Sequence, residues 1–240
     1  MSLEVLPTRT SPAAENMAVD FLMLQRYPRE QVSRFRHYSW RSPAFTFGYS
    51  QKISFVRASL PAGQTFDLCR RPTGGGIVDH RDDWTFSLVI PRGHPLELLR
   101  ATESYREVHD CLAAALRRQG VPAITKNASM LTSSAGAANS PAGLCFDRSE
   151  PNDVVHETSG AKIAGAAQKR NKRGLLFQGS VWRPALGRAI DEDALLDDFV
   201  KNLSVVLGTS RSDVPWPDFQ EDEVSGLAET YASAEWNEGR

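Results

Sequence analysis

Three places in the sequence hold residues whose types and spacing suit chemistry. Arg70-Arg71-Pro72-Thr73-Gly74-Gly75-Gly76 puts two cations ahead of three residues without side chains. Glycines let backbone N–H groups come close to an anion or an acyl chain, and a guanidinium pairs with phosphate in bidentate fashion. A tight turn between two strands uses the same residues, so both readings stay open. His80, which ends this segment, suits a base, a ligand partner or a satisfied structural histidine. Cys145 closes a glycine-rich stretch and is followed by Asp147, Arg148, Ser149 and Glu150, so it need not be sealed in a core. It is a candidate nucleophile. Lys162 heads Ile163-Ala164-Gly165-Ala166-Ala167, where a lone cation among small residues is an edge-strand charge or an electrostatic group for a reacting atom.

Other chemistries lack their fingerprints. There is no G-x-x-x-x-G-K-[ST], no G-x-G-x-x-G after a strand, no H-E-x-x-H and no G-x-S-x-G. The cysteines Cys69, Cys111 and Cys145 form no C-x-x-C pair, so neither a zinc site nor a disulfide framework is expected. Cys69 falls inside a strand and Cys111 on the buried side of a helix, which makes both core residues.

Positioning these groups requires a sheet. Residues 15–24 have helical spacing, whereas 33–40 and 44–49 alternate with period two and read as strands. A strand at 65–70, the glycine loop and a strand at 84–90 follow. Tyr105, Val108, Leu112, Ala115 and Leu116 mark a helix over 102–119, stopped at Gly120. After a strand at 121–125, residues 127–143 are small, polar and aperiodic, which suggests a mobile loop. Residues 153–156 and 162–168 flank a turn at Thr158-Ser159-Gly160, as in a β-hairpin. Lys169-Arg170-Asn171-Lys172-Arg173 reads as the turn into a strand at 174–181, and a helix over 193–207 follows an acidic start. The last thirty residues read as irregular and exposed. The expected fold class is α+β: one domain with a mixed or antiparallel sheet and flanking helices.

With 41% hydrophobic and 24% charged residues, the chain suits an ordinary globular domain and not a disordered or fibrous one. The net charge of -1 hides an asymmetry: residues 191–240 hold thirteen acids against three bases, leaving 25 bases against 16 acids before them. A basic body suits an acidic partner, and an acidic tail suits solubility. No basic start leads into an apolar run and no stretch of about 18 apolar residues occurs. A reduced, cytoplasmic setting is expected, without export, a membrane or nucleic acid.

Four segments together resemble the biotin/lipoate A/B protein ligase superfamily, in its lipoate ligase and octanoyltransferase branch. They are Asn16-Met17-Ala18-x-Asp20; Tyr38-x-Trp40-x-x-Pro43 with Gly48 and Gln51; the Arg70–Gly76 run with His80; and Lys162-Ile163-Ala164-Gly165-Ala166-Ala167-Gln168. The resemblance implies the ligase catalytic fold over residues 1–207, with 208–240 as an acidic segment packed on it or trailing from it. It implies that Arg71, Gly75 and Gly76 contact an acyl group or acyl-adenylate and that Lys162 binds the reacting carboxyl. Arg70, Thr73, Gly74, Ile77, Val78, His80, Gly165 and Ala166 complete the expected substrate-binding set, with no metal ligand.

In one octanoyltransferase group a Cys-Phe pair precedes the lysine strand, and Cys145-Phe146 occupies that place here. The resemblance therefore favours transfer of an octanoyl or lipoyl group through a Cys145 thioester, with Lys162 beside it and no cofactor. The implied partners are an acidic acyl carrier protein or lipoylated donor, and a lipoyl-domain acceptor such as a dehydrogenase E2 subunit or glycine-cleavage H protein. Asn152-Asp153 resembles the ligases instead, and that alternative needs lipoate, ATP and Mg2+. His80-Arg81-Asp82 interrupts the family's usual His-Asp pair. A non-catalytic acyl-binding module is the third expectation.

Overall fold

The computed structural model describes residues 2–26, 32–127 and 149–239. Strands β1 (Ser2–Ser11), β2 (Val32–Trp40), β6 (Asp83–Pro91), β7 (Ala123–Thr125), β8 (Val154–His156), β9 (Lys162–Asn171), β10 (Gly174–Trp182) and β11 (Ser210–Asp213) form a sheet in the order β11-β1-β2-β6-β10-β9-β8-β7. Pairing is parallel at β11-β1-β2 and antiparallel from β2 onward. A second sheet, β4-β3-β5, is built from β3 (Ala44–Phe47), β4 (Asp67–Arg70) and β5 (Ile77–Asp79). The fold is mixed α+β, as expected, but the short strands flanking the glycine loop form a sheet of their own. Phe45, Phe47, Val56 and Ile77 give that sheet a separate small core.

Both faces of the large sheet are covered. Helices α4 (Ala101–Arg118) and α5 (Glu192–Val206) press Val108, Leu112, Leu116, Leu195, Phe199 and Leu203 onto Phe35, Phe86, Leu88, Leu175 and Phe177. On the opposite face, α1 (Ala13–Arg26) sets Met23 and Leu24 against Leu6, Val89 and Leu176. Two buried faces explain the unbroken apolar runs Leu88-Val89-Ile90 in β6 and Leu175-Leu176-Phe177 in β10. Each ring of the Phe35, Phe86 and Phe199 cluster contributes about 2–3 kcal/mol by burial, and Phe199 meets Phe86 edge-on at 5.0 Å. Short helices α2 (Ile53–Ser59) and α3 (Pro95–Leu98) complete the part before α4.

Two sequence expectations are corrected, and one strand is added where none was expected. Residues 2–11 form β1, which no periodicity had marked, because Pro7 interrupts the alternation and the β1–β2 register shifts between Leu6 and Arg9. Lys169, Arg170 and Asn171 belong to β9, so only Lys172 and Arg173 make the turn. The last thirty residues are not irregular: β11 pairs with β1, and α6 (Glu221–Ala232) and α7 (Ala234–Glu238) follow it. Val224, Leu227, Ala228 and Tyr231 are an i, i+3, i+4, i+7 stripe against the α1 side of the core. Asp222 and Glu223 in the first turn of α6 suit the helix dipole, and Glu223 pairs with Arg26 of α1. Among the described residues, no helix is long and apolar enough to cross a membrane.

One histidine couples this core to pH. His37 stacks on Trp84 at 4.8 Å, and burial depresses its pKa from 6.5 to about 4, outweighing the opposing pull of Glu192. Between those values the unfolded chain takes up a proton that the folded chain refuses, so this share of stability is present above pH 6.5 and is lost as pH falls. The expected loss from pH 7 to pH 5 is about 2 kcal/mol. Urea unfolding of His37→Phe, which keeps a stacking ring, should show a pH slope shallower by that amount; an unchanged slope contradicts the assignment.

Candidate active site

A cleft open to solvent lies between β9, β10 and the small sheet. Lys162, Gly165, Ala166 and Ala167 of β9 form one wall, and Gln178, Gly179 and Ser180 of β10 continue it. Arg71, Gly75, Val78 and His80 face them, with Met17, Tyr38, Trp40, Thr46 and Thr85 completing the lining. Seven of the thirteen candidates named from the sequence therefore share one cavity: Arg71, Gly75, Val78, His80, Lys162, Gly165 and Ala166.

Lys162 is held from behind. Its side chain is 7% exposed, and its Nζ stands 2.8 Å from Oδ2 of Asp153, itself 2% exposed. The Asp153 carboxylate also accepts the Tyr105 hydroxyl at 2.7 Å and the Glu150 N–H at 2.7 Å. A charge pair this buried survives only with such extra bonds, because desolvation of each ion costs several kcal/mol. Gly165 leaves room for the lysine: a Cβ there would stand 2.8 Å from Lys162 Cε and 2.9 Å from Nζ.

The glycine loop is fixed from three sides. Arg71 donates to the carbonyls of Gly74 and Gly76 at 2.9 and 3.0 Å and to Thr46 Oγ1 at 2.8 Å, so it shapes the loop from within. Gly75 has φ +93°, and a Cβ on Gly48 would lie 2.0 Å from the Gly75 carbonyl oxygen, which explains glycine at both positions. Gln51 donates to that same carbonyl at 3.2 Å. Thr73 donates to Gln178 Oε1 at 2.7 Å, while the Gln178 amide donates to Asp20 at 2.8 Å.

His80 links this loop to Asp83. Its Nδ1 faces Asp83 Oδ2 at 2.7 Å and its Nε2 faces Thr46 Oγ1 at 2.7 Å. A carboxylate only accepts, so Nδ1 donates to Asp83, and in the neutral ring Nε2 accepts the Thr46 O–H. Arg81 pairs with Asp79, leaving Asp83, three residues from His80, as its partner. The same carboxylate accepts Thr85 at 2.8 Å and Ser180, while Trp40 donates to Thr85 at 2.9 Å. Tyr38 donates to Asp20 at 3.0 Å. The donors of Tyr38, Trp40, Thr46, Thr85, Gln178 and Ser180 are thus spent on Asp20, Asp83, His80 and one another, and the wall suits an unfunctionalised acyl tail.

Five candidates sit outside the lining. Arg70 turns away, donating to the carbonyls of Tyr49, Gln51, Trp236 and Asn237, so it ties the loop to α7. Thr73 braces Gln178, Gly74 and Gly76 serve through their carbonyls, and Ile77 is buried in the small sheet's core. Cys145 and the stretch expected to be mobile before it lie outside the described residues, apart from Asn127. Cys69 and Cys111 are 1% and 5% exposed; burial pushes the Cys69 thiol up strongly and the Cys111 thiol to about 12. The basic cluster stands apart from Lys162: Lys172 and Arg173 lie at the β9–β10 tip, about 30 Å along the strand from it. Lys169 and Arg170 are spent on the carbonyls of Pro72 and Glu97.

Residues 12–183 match the family model of the lipoyl protein ligase A/B catalytic domain, which is well over half of the chain. The chain belongs to this family. It is 31% identical over 193 residues to octanoyltransferase LipM of Bacillus subtilis, covering 79% of this chain and 66% of that protein. It is 34% identical over 179 residues to octanoyltransferase LipM of Kyrpidia tusciae, covering 74% of this chain and 64% of the relative. The chain thus spans just under two thirds of the length of these relatives. The lipoate protein ligase of T. acidophilum with bound lipoic acid superposes with a TM-score of 0.71 at 19% identity, with each chain covered completely. A lipoate-protein ligase A bound with ATP superposes with a TM-score of 0.69 at 18% identity, covering 99% of this chain and 98% of that one. These structures share the family's fold. The Lys162 strand and the arginine-glycine loop, both within the matched residues, are the two walls that meet across the cleft.

Proposed function

We propose that this chain transfers an octanoyl group from a thioester donor to a lysine of a lipoyl-domain protein, through a thioester on Cys145. One observation carries the reading: a cleft whose wall turns its polar donors back into the protein, bounded by the glycine loop and by a lysine on a small-residue strand. The likeness to octanoyltransferases LipM supports the same reaction. Cys69 and Cys111 are buried thiols held protonated, so Cys145 is the cysteine suited to attack.

In the first half-reaction the Cys145 thiolate adds to the donor carbonyl, and the oxyanion collapses to expel the carrier thiolate. Lys162 stabilises that oxyanion as an ammonium whose counter-charge, Asp153, is buried behind it. In the second, the acceptor lysine's amine adds to the acyl-enzyme, loses its proton and leaves an amide, while the Cys145 thiolate departs. An acyl carrier protein is the proposed donor, and an E2 subunit or H protein the acceptor. The ATP-dependent alternative has less support at Asp153, whose two oxygens already serve Lys162, Tyr105 and the Glu150 N–H and so are poorly placed for Mg2+.

Octanoyl transfer from an acyl carrier protein to a lipoyl domain is expected without ATP and to be abolished in Cys145→Ser. Transfer that needs ATP and survives Cys145→Ser would identify a ligase instead. Binding of lipoyl analogues without turnover on either donor would identify a binding module.

A further inference from the structure

Helix α4 brings two side chains, one turn apart, to the back of the Lys162 site. Periodicity places Tyr105 on the helix's core-facing stripe, and its ring packs on His109 at 4.1 Å. Its hydroxyl has a more specific task. It accepts the Ala166 N–H at 2.8 Å and donates to Asp153 Oδ1 at 2.7 Å. The β8–β9 register extends only from Lys162 to Ala164, so the phenol supplies Ala166 with the partner a neighbouring strand would have provided. His109 steadies the same turn from below, with Nδ1 2.6 Å from the carbonyl of Asn152, a residue at φ +68°.

The phenol thus joins two things the reaction needs at a fixed separation: the carboxylate that holds the Lys162 ammonium, and the strand backbone that lines the cleft at Gly165 and Ala166. Without the hydroxyl, Asp153 keeps its Oδ2 bonds but its plane is free to turn about them. We propose that Tyr105 is a positioning residue for Lys162, acting through Asp153. This rests on the reading above in which Lys162 serves the reacting carbonyl.

Tyr105→Phe keeps the ring and removes only the hydroxyl. It is expected to lower kcat for octanoyl transfer about tenfold with KM within about twofold, because a displacement near 1 Å costs up to about 100-fold. Combined with Asp153→Asn, it should add nothing further, since both changes act on one pathway. Independent, multiplicative effects, or a change in KM alone, overturn the proposal.

A second readout needs no turnover. Limited acetylation by acetic anhydride, followed by peptide mass spectrometry, should modify Lys162 at least about threefold more in Tyr105→Phe than in wild type. Lys126, also buried but bonded to Ser149, should not change. Unchanged Lys162 labelling, or an equal rise at both lysines, overturns the proposal. If the wild-type chain transfers no octanoyl group, the functional reading fails while the labelling still decides the role of Tyr105.

Discussion

Lys162→Ala is expected to reduce kcat for octanoyl transfer about 1000-fold. Magnitudes decide why. A thiol brought from about 8.5 to about 7 by a nearby ammonium is some 16-fold richer in thiolate at neutral pH. Its intrinsic nucleophilicity falls about fivefold over the same change, so the net gain is only about threefold. A charged donor aimed at a developing oxyanion is worth about 100- to 1000-fold in a dry site, and Lys162 with its buried counter-ion is such a donor. The substitution also leaves Asp153 without its cation, at a cost of about 3 kcal/mol or more in stability. Rates are therefore to be compared well below the unfolding transition. A variant within tenfold of wild type would mean that the ammonium does not stabilise the oxyanion.

Gly165→Ala tests the same geometry from the opposite side, without touching a charge. The new methyl would lie 2.8 Å from Cε and 2.9 Å from Nζ of Lys162, and 3.1 Å from Asp153 Oδ1. All three atoms are at side-chain ends, so the lysine yields and the strand does not. Gly165 has no positive φ, and alanine restricts the unfolded chain more than glycine does, which favours folding by about 0.5 kcal/mol. The expected result is a melting temperature within a few degrees of wild type together with a kcat about 30- to 100-fold lower, the penalty of moving a catalytic group by about 1 Å. Full activity in a folded Gly165→Ala protein would show that the Lys162 position does not matter. A large loss of stability would show that the strand, not the lysine, absorbs the methyl.

The two walls of the cleft were legible because they rest on local patterns. An arginine-glycine run and a lysine heading a small-residue strand are unusual enough to stand out, and Arg71, Gly75 and Lys162 do line one cavity. What anchors those residues was not legible, because it depends on pairs distant in sequence. Tyr105 meets Asp153 from 48 positions away and Thr73 meets Gln178 from 105 away, and neither separation carries a periodic signal. His80 and Asp83 are a different case. Only two residues separate them, but those two, Arg81 and Asp82, suggested a broken pair, and only the Arg81–Asp79 contact shows which aspartate remains for the histidine. The C-terminal helices were missed because composition masked periodicity. A run of acids suggested a solvated tail, although Val224, Leu227, Ala228 and Tyr231 already had helical spacing. The resemblance puts Arg70 and Arg71 in one substrate-binding set, but successive residues of an extended segment point to opposite sides, and the Arg70 side chain reaches α7.

The charge split takes a structural meaning from the same contacts. The acidic C-terminal segment supplies an edge strand, a helix against α1 and the carbonyls that hold Arg70, so it is part of the fold's support for the glycine loop.

The central claim is the covalent intermediate on Cys145, and intact-mass spectrometry after incubation with octanoyl acyl carrier protein, without acceptor, tests it most directly. The account predicts a gain of one octanoyl group on the wild-type chain, retained at reduced yield in Lys162→Ala and absent in Cys145→Ala. No adduct on the wild type, or an adduct of equal yield in Cys145→Ala, would contradict it.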